Sequence, residues 1–116
     1  MTPAAAEAVY FAGPPRWERG ELLSHLRRLL AQRVEQAYVF GSYGRGTADA
    51  DSDVDLILVV PTQAPWPRRA EAFADLWDQL GPVDLLVYTP REWLEMSASQ
   101  HPFLEATAGE RVGVFE

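Results

Sequence analysis

At 116 residues the chain is the size of one compact domain, enough for a single core but too short for separate substrate-handling lobes. Apolar residues make up 47% and charged residues 23%, a globular balance rather than the signature of disorder. Seventeen acidic residues against ten arginines give a net charge of -7, with no lysine and no cysteine, which excludes disulfides, thiolate metal sites, Schiff-base chemistry and a phosphate-loop lysine, and argues against DNA or RNA as substrate because no basic stripe is present.

Residues 1–19 carry alanines, prolines and glycines without periodicity and read as an N-terminal arm or tail, with the folded domain spanning 20–116. The opening MTPAAAEAVYFAG has no basic start, and Glu7 interrupts its apolar run, so it does not read as a secretory signal; no other stretch is long and apolar enough to span a membrane. A cytoplasmic location without a membrane partner is the expectation. From about Gly20, Leu22, Leu23, Leu26, Leu29, Leu30 and Val34 recur at helical spacing, with His25, Arg27, Arg28 and Arg33 on the polar face.

Ala37 to Phe40 and Leu56 to Val60 are apolar runs that predict two buried strands flanking a Gly- and Asp-rich loop. Ala70, Phe73, Trp77 and Leu80 predict a second helix, stopped by Gly81-Pro82, and Val83 to Tyr88 a third strand. Thr89 and Glu92 form a capping box around Pro90, so a third helix carrying Trp93, Leu94 and Met96 should start there. Val112 to Phe115 reads as a last edge strand, after a polar stretch containing Pro102 and Gly109. The order predicts an α/β (α+β) fold, a small sheet covered by helices.

The chemistry concentrates in GSYGRGTADADSDVDLILVV, Gly41 to Val60. Glycine directly after a strand lets the backbone approach a ligand and turn into a short helical segment, whose free amides, with the Ser42 hydroxyl, suit the phosphates of a nucleoside triphosphate; Arg45 adds charge. Asp53 and Asp55 stand two apart at the start of a strand, which places both carboxylates on one face, roughly 6.5 to 7 Å apart. Such oxygens suit a hard divalent cation that keeps positions for water and phosphate, and one or two ions there would assist in-line displacement at phosphorus. Asp84 opens another apolar strand and is the candidate third carboxylate, to hold metal or take the acceptor proton.

Taken singly, each aspartate reads equally well as a polar strand-end residue. Asp49, Asp51 and Asp53 alternate like a calcium loop, but Val54 and Val60 replace its glycine and glutamate. Gly41 and Gly46 have phosphate-loop spacing, yet Thr47-Ala48 replaces the Lys-Ser/Thr pair, and Asp49 stands where a dinucleotide loop needs its third glycine. An aspartyl-phosphate phosphatase places its acids after the apolar strand, whereas here the apolar run follows them. His25 and His101 read as surface residues, the four tryptophans as packing residues, and Tyr43 as a side chain that only has to fit a helix.

Gly41-Ser42, ten residues, then Asp53-Val54-Asp55, with Arg45-Gly46 and Ser52 in place, resembles the signature of the polymerase-beta-like nucleotidyltransferase superfamily. Size and element order look most like its minimal nucleotidyltransferases (MNT), often paired with HEPN-domain toxins, over about residues 20 to 115. The resemblance implies the palm-like mixed sheet of that superfamily, Gly41 and Ser42 as the phosphate-binding pair, Asp53 and Asp55 as metal ligands and Asp84 as the third acid. Mg2+, with Mn2+ as a substitute, and ATP follow as cofactor and substrate. The family role implies transfer of AMP to a tyrosine of a HEPN-type toxin, with this chain as antitoxin. Family members often have alanine where this chain has Gly44. Modification of a small molecule such as an aminoglycoside, and a binding-only antitoxin with a vestigial site, are the alternatives; a homo-oligomer is compatible with the sequence.

Overall fold

The leucine spacing of the first helix fixes one layer of the molecule. In a computed structural model that describes residues 13–115, α1 (Arg19–Leu30) buries Leu22, Leu26 and Leu30, four residues apart on one stripe. Glu18 caps it, its carboxylate accepting from the Gly20 and Glu21 amides at 2.9 and 3.1 Å, and these bonds hold its carboxyl below the ordinary carboxylate range.

The strands are β1 (Gln36–Phe40), β2 (Val54–Val59), β3 (Val83–Tyr88) and the two-residue β4 (Val112–Gly113), in the order β3-β2-β1-β4. β2 runs antiparallel to β1 and parallel to β3, and β4 pairs antiparallel with β1. Alternation along β2 sorts the core. Val54, Leu56 and Leu58 face α1, whereas Ile57 and Val59 face the opposite layer, where Trp93, Leu104 and the half-buried Tyr38, Phe40, Leu86 and Tyr88 gather. A central strand covered on both faces is why its sequence is a continuous apolar run. Asp55 and Asp84 share the parity of Ile57 and Leu86, so both project to that second face at the open end of the sheet.

The helix expected around Ala70 to Leu80 divides in two. Trp66–Phe73 is a 3-10 helix, and only Asp75–Leu80 is α-helical (α3). At three residues per turn Phe73 and Leu76 eclipse, whereas 3.6 per turn would bring Phe73 and Trp77 together. Leu76 is accordingly buried, and Trp77 is 54% exposed. Trp66 is also exposed at 47%, so two of the four tryptophans are not core residues.

The capping box is formed as expected: Thr89 and Glu92 exchange hydrogen bonds at 2.9 and 3.1 Å at the start of α4 (Pro90–Ala98). Of the apolar residues this helix carries, Trp93 is buried and Leu94 lies outward. The stretch read as polar contains a helix, α5 (Pro102–Thr107), with Pro102 in its first turn and His101 as cap, its Nδ1 accepting from the Phe103 amide. His101-Pro102 repeats the cap-then-proline order of Thr89-Pro90 and was the signal available for it.

One side chain joins four of these segments. Arg69, only 11% exposed, donates to the Glu92 carboxylate (2.6 and 3.1 Å), to the Val87 carbonyl (3.1 Å) and to the Ala64 carbonyl (3.0 Å). This pairing, with the Thr89 amide, holds the Glu92 carboxyl below its usual range. Arg69→Ala takes its donor from all three acceptors, leaving Glu92 its Thr89 contact, and should cost about 2 to 3 kcal/mol in urea denaturation; a loss below about 0.5 kcal/mol would contradict this account.

The arm assigned to residues 1–19 is in part docked. Gly13 accepts from the Ala50 amide (3.1 Å), the Trp17 amide donates to Tyr43 Oη (3.4 Å), and Trp17 Nε1 donates to the Leu80 carbonyl (3.1 Å). Arg19, counted with the arm, begins α1; residues 1–12 lie outside the described residues. No described helix is long and apolar enough to cross a membrane.

Candidate active site

Gly41 follows β1 directly and begins the five-residue helix α2 (Gly41–Arg45) with φ of +68°. A Cβ at this position would collide with Asp55 Oδ2, so glycine is needed both for the turn and for the approach of the carboxylate. Gly46, in the left-handed conformation, closes α2 with its amide on the Ser42 carbonyl. Ser42 beside the turn is half-buried, and Tyr43 is buried at 3% exposure, its hydroxyl receiving the Trp17 amide.

The loop leading to the acids is held by its own side chains. Ser52 Oγ accepts from the Asp49 amide (2.9 Å), and Asp49 Oδ1 accepts from the Asp51 amide (2.9 Å) and from Ser52 Oγ (3.3 Å). Asp49 thus shapes a turn, and Ser52 of the motif fixes the approach to Asp53. The Val54 amide then donates to the Pro82 carbonyl (3.0 Å), aligning the starts of β2 and β3.

Parallel pairing puts Asp55 opposite Asp84, and antiparallel pairing puts Phe40, the residue before Gly41, opposite Asp55. The acids of two strands and the glycine turn therefore meet at one end of the sheet. Asp55 is half-buried, Asp53 and Asp84 exposed. Burial pushes the Asp55 carboxyl up to about 6, helped by the charge of Asp84, by a hydrogen bond between the two carboxyls and by the charge of Asp53, while Arg45 opposes the rise.

Asp55 and Asp84 form a close pair of hard oxygen donors whose mutual repulsion a divalent metal ion would relieve. Asp53 acts on Asp55 through its charge; among the described residues no three acidic or imidazole side chains are gathered into one cation cage. The three-carboxylate set is thus represented by a pair and a nearby third.

Residue order carries no sign of Glu110. Its carboxylate accepts from the Gly41 amide at 2.8 Å and pairs with Arg45 at 3.2 Å, and its side chain is only 17% exposed. Nothing in a single glutamate 69 residues from Gly41 marks it. Arg45, expected to face phosphate, is already engaged. The two histidines, read as surface residues, have structural partners: His25 packs edge-on against Trp17 and accepts from Arg28, and His101 caps α5. A groove of about 410 Å³ lined by Trp66, Tyr88 and Met96 opens at the far end of β3 from Asp84.

Residues 20–111 match the model of the nucleotidyltransferase domain, most of the chain and all of the elements that carry the acids. A crystal structure from Sulfolobus solfataricus, provisionally described as a nucleotidyltransferase, superposes with a TM-score of 0.54 over 97% of this chain and 87% of its own, at 17% identity. The toxin-antitoxin structure MntA-HpeT superposes at 0.50 over 84% and 73%, also at 17% identity. These likenesses show the fold, a four-stranded mixed sheet with helices, in agreement with the nucleotidyltransferase domain model. No curated protein matches the chain significantly. The chain belongs to the nucleotidyltransferase domain family.

Proposed function

We propose that the chain transfers AMP from ATP to a tyrosine hydroxyl of a HEPN-type toxin and acts as its antitoxin, with Gly41, Ser42 and Arg45 holding phosphate and Asp53, Asp55 and Asp84 forming the acidic centre. The observation that carries this reading is the register that sets Asp55 beside Asp84 and against the Gly41 turn. The acceptor oxygen forms a bond to the α-phosphorus, the bond from that phosphorus to pyrophosphate breaks, and the hydroxyl proton passes to Asp84, the more exposed of the paired acids. A divalent ion such as Mg2+ or Mn2+, held by Asp55 and Asp84 with Asp53 beside them, would supply charge neutralisation for the phosphates.

Two further features support the partner. The net charge of -7 favours a basic protein surface over nucleic acid, and the MntA-HpeT neighbour is a toxin-antitoxin complex. The test is transfer of label from α-labelled ATP with Mg2+ onto proteins of the source lysate. One discrete labelled protein, absent with Asp84→Asn, is expected. Equal labelling by that variant would remove Asp84 from the reaction. Neutralisation of the partner by an Asp53→Asn, Asp55→Asn double variant at equal expression would show that binding, not transfer, is the mechanism.

A further inference from the structure

Glu110 lies in the turn between α5 and β4, and its backbone is held on both sides. Its amide donates to the Thr107 carbonyl (3.0 Å), the Arg111 guanidinium stacks over Trp93 and Tyr38 at 5.4 and 5.9 Å, and Val112 pairs with Val39. Its peptide also packs on α2: a Cβ at Gly44 would collide with the Glu110 carbonyl and stand 3.2 Å from the Val39 carbonyl. Gly44 is therefore what lets the Glu110 turn reach the helix.

From this position the carboxylate bridges two groups. One oxygen takes the Gly41 amide at 2.8 Å and the other pairs with Arg45 at 3.2 Å. An amide has one hydrogen, so Gly41 cannot serve this carboxylate and a phosphate oxygen at full strength together. Arg45 has further donors, but a phosphate brought to it would stand next to the negative charge of Glu110.

We propose that Glu110 is an internal occupant of the phosphate-binding turn, which a triphosphate must displace from Gly41 and Arg45 in order to bind. The proposal rests on the nucleotide reading above. Because displacement breaks two charge-assisted contacts at once, a ligand has to replace both; a triphosphate can do so with one phosphate and keep others, and more negative charge, for a metal ion, whereas a monophosphate has to spend its only phosphate on them. Glu110 thereby weakens all nucleotides and sharpens selection for triphosphate over monophosphate.

The test titrates ATP and AMP, each with Mg2+, into wild type, Glu110→Gln and Glu110→Ala full-length chains by calorimetry, and follows the Gly41 amide by NMR. Glu110→Ala is expected to bind ATP about tenfold tighter, and Glu110→Gln several-fold tighter, since its amide oxygen still accepts from Gly41 but no longer holds Arg45 by charge. AMP affinity should rise by a larger factor than ATP affinity, so that the ATP-to-AMP preference falls, and the Gly41 amide should shift in both free variants and on adding ATP to wild type. If Glu110→Ala melts early because β4 loosens, Glu110→Gln decides. ATP affinity unchanged or weakened in the folded variants, or a Gly41 amide that ignores ATP although wild type binds it, overturns the proposal and leaves the nucleotide reading standing. ATP binding to none of the folded chains overturns both.

Discussion

Asp55→Asn should abolish nucleotidyl transfer and yet leave the metal-free protein folded and, near neutral pH, slightly more stable. The Asp55 carboxyl titrates near 3.8 when unperturbed and near 6 in the fold, raised first by burial and then by Asp84. A native state that holds the proton more tightly gains stability below the unfolded value and loses it as pH rises through about 6. At pH 7.5 the ionised group therefore costs the fold something on the order of 1 kcal/mol, after a large reduction because it is only half-buried. Asparagine removes the charge and keeps the shape. In chelator, the melting temperature of Asp55→Asn should rise by a few degrees at pH 7.5 and show no gain at pH 4.5. Label transfer should fall about 10³-fold or more, because the carboxylate lost is the inner member of the acidic pair. Undiminished transfer would move the chemistry elsewhere; a large fall in melting temperature at both pH values would make Asp55 a structural residue.

That prediction draws on a part of the site that was legible from residue order. Gly41, Asp53, Asp55 and Asp84 each border an apolar run, so strand period and strand ends place them at the mouth of a sheet before any coordinates are known. What residue order does not contain is which strands are neighbours. The β2-β3 pairing turns two separate acids into a facing pair, and β4 pairing with β1 carries Glu110 to the Gly41 turn. Pairing between distant strands is decided by the packing of the whole sheet, and a polar side chain that reaches across it leaves no periodic trace.

The errors in the helical layer have a different origin. Phe73, Leu76, Trp77 and Leu80 offer two apolar stripes, and the one buried depends on whether the preceding turn is 3-10 or α, which spacing alone does not decide. α5 is too short for a periodicity to develop, and what it turns inward reduces to the half-buried Phe103, the buried Leu104 and the methyl-bearing Thr107. The described part of the N-terminal arm docks through Trp17, one aromatic ring with a polar handle, and a single anchor is invisible to any pattern that needs repetition.

Gly41→Ala should be the most damaging single methyl that can be added near the acids. Two costs coincide there. The residue sits at φ +68°, which an L side chain adopts at an expense of about 1 to 2 kcal/mol. The new Cβ also meets Asp55 Oδ2 head-on, with the Asp55 Cγ and Cβ at 3.0 and 3.3 Å, so the carboxylate has to swing away from its pairing with Asp84. Together these should remove roughly 3 kcal/mol of stability, lower the melting temperature by about 10 °C and eliminate transfer. A double-mutant cycle separates the two costs. If the collision dominates, Gly41→Ala made in an Asp55→Ala background should cost clearly less than in wild type, because the carboxylate is gone and only the backbone strain and a contact with the remaining Cβ persist. If it costs the same in both backgrounds, the strain of the turn alone explains the glycine, and the close approach of Asp55 to the turn is not what the residue protects.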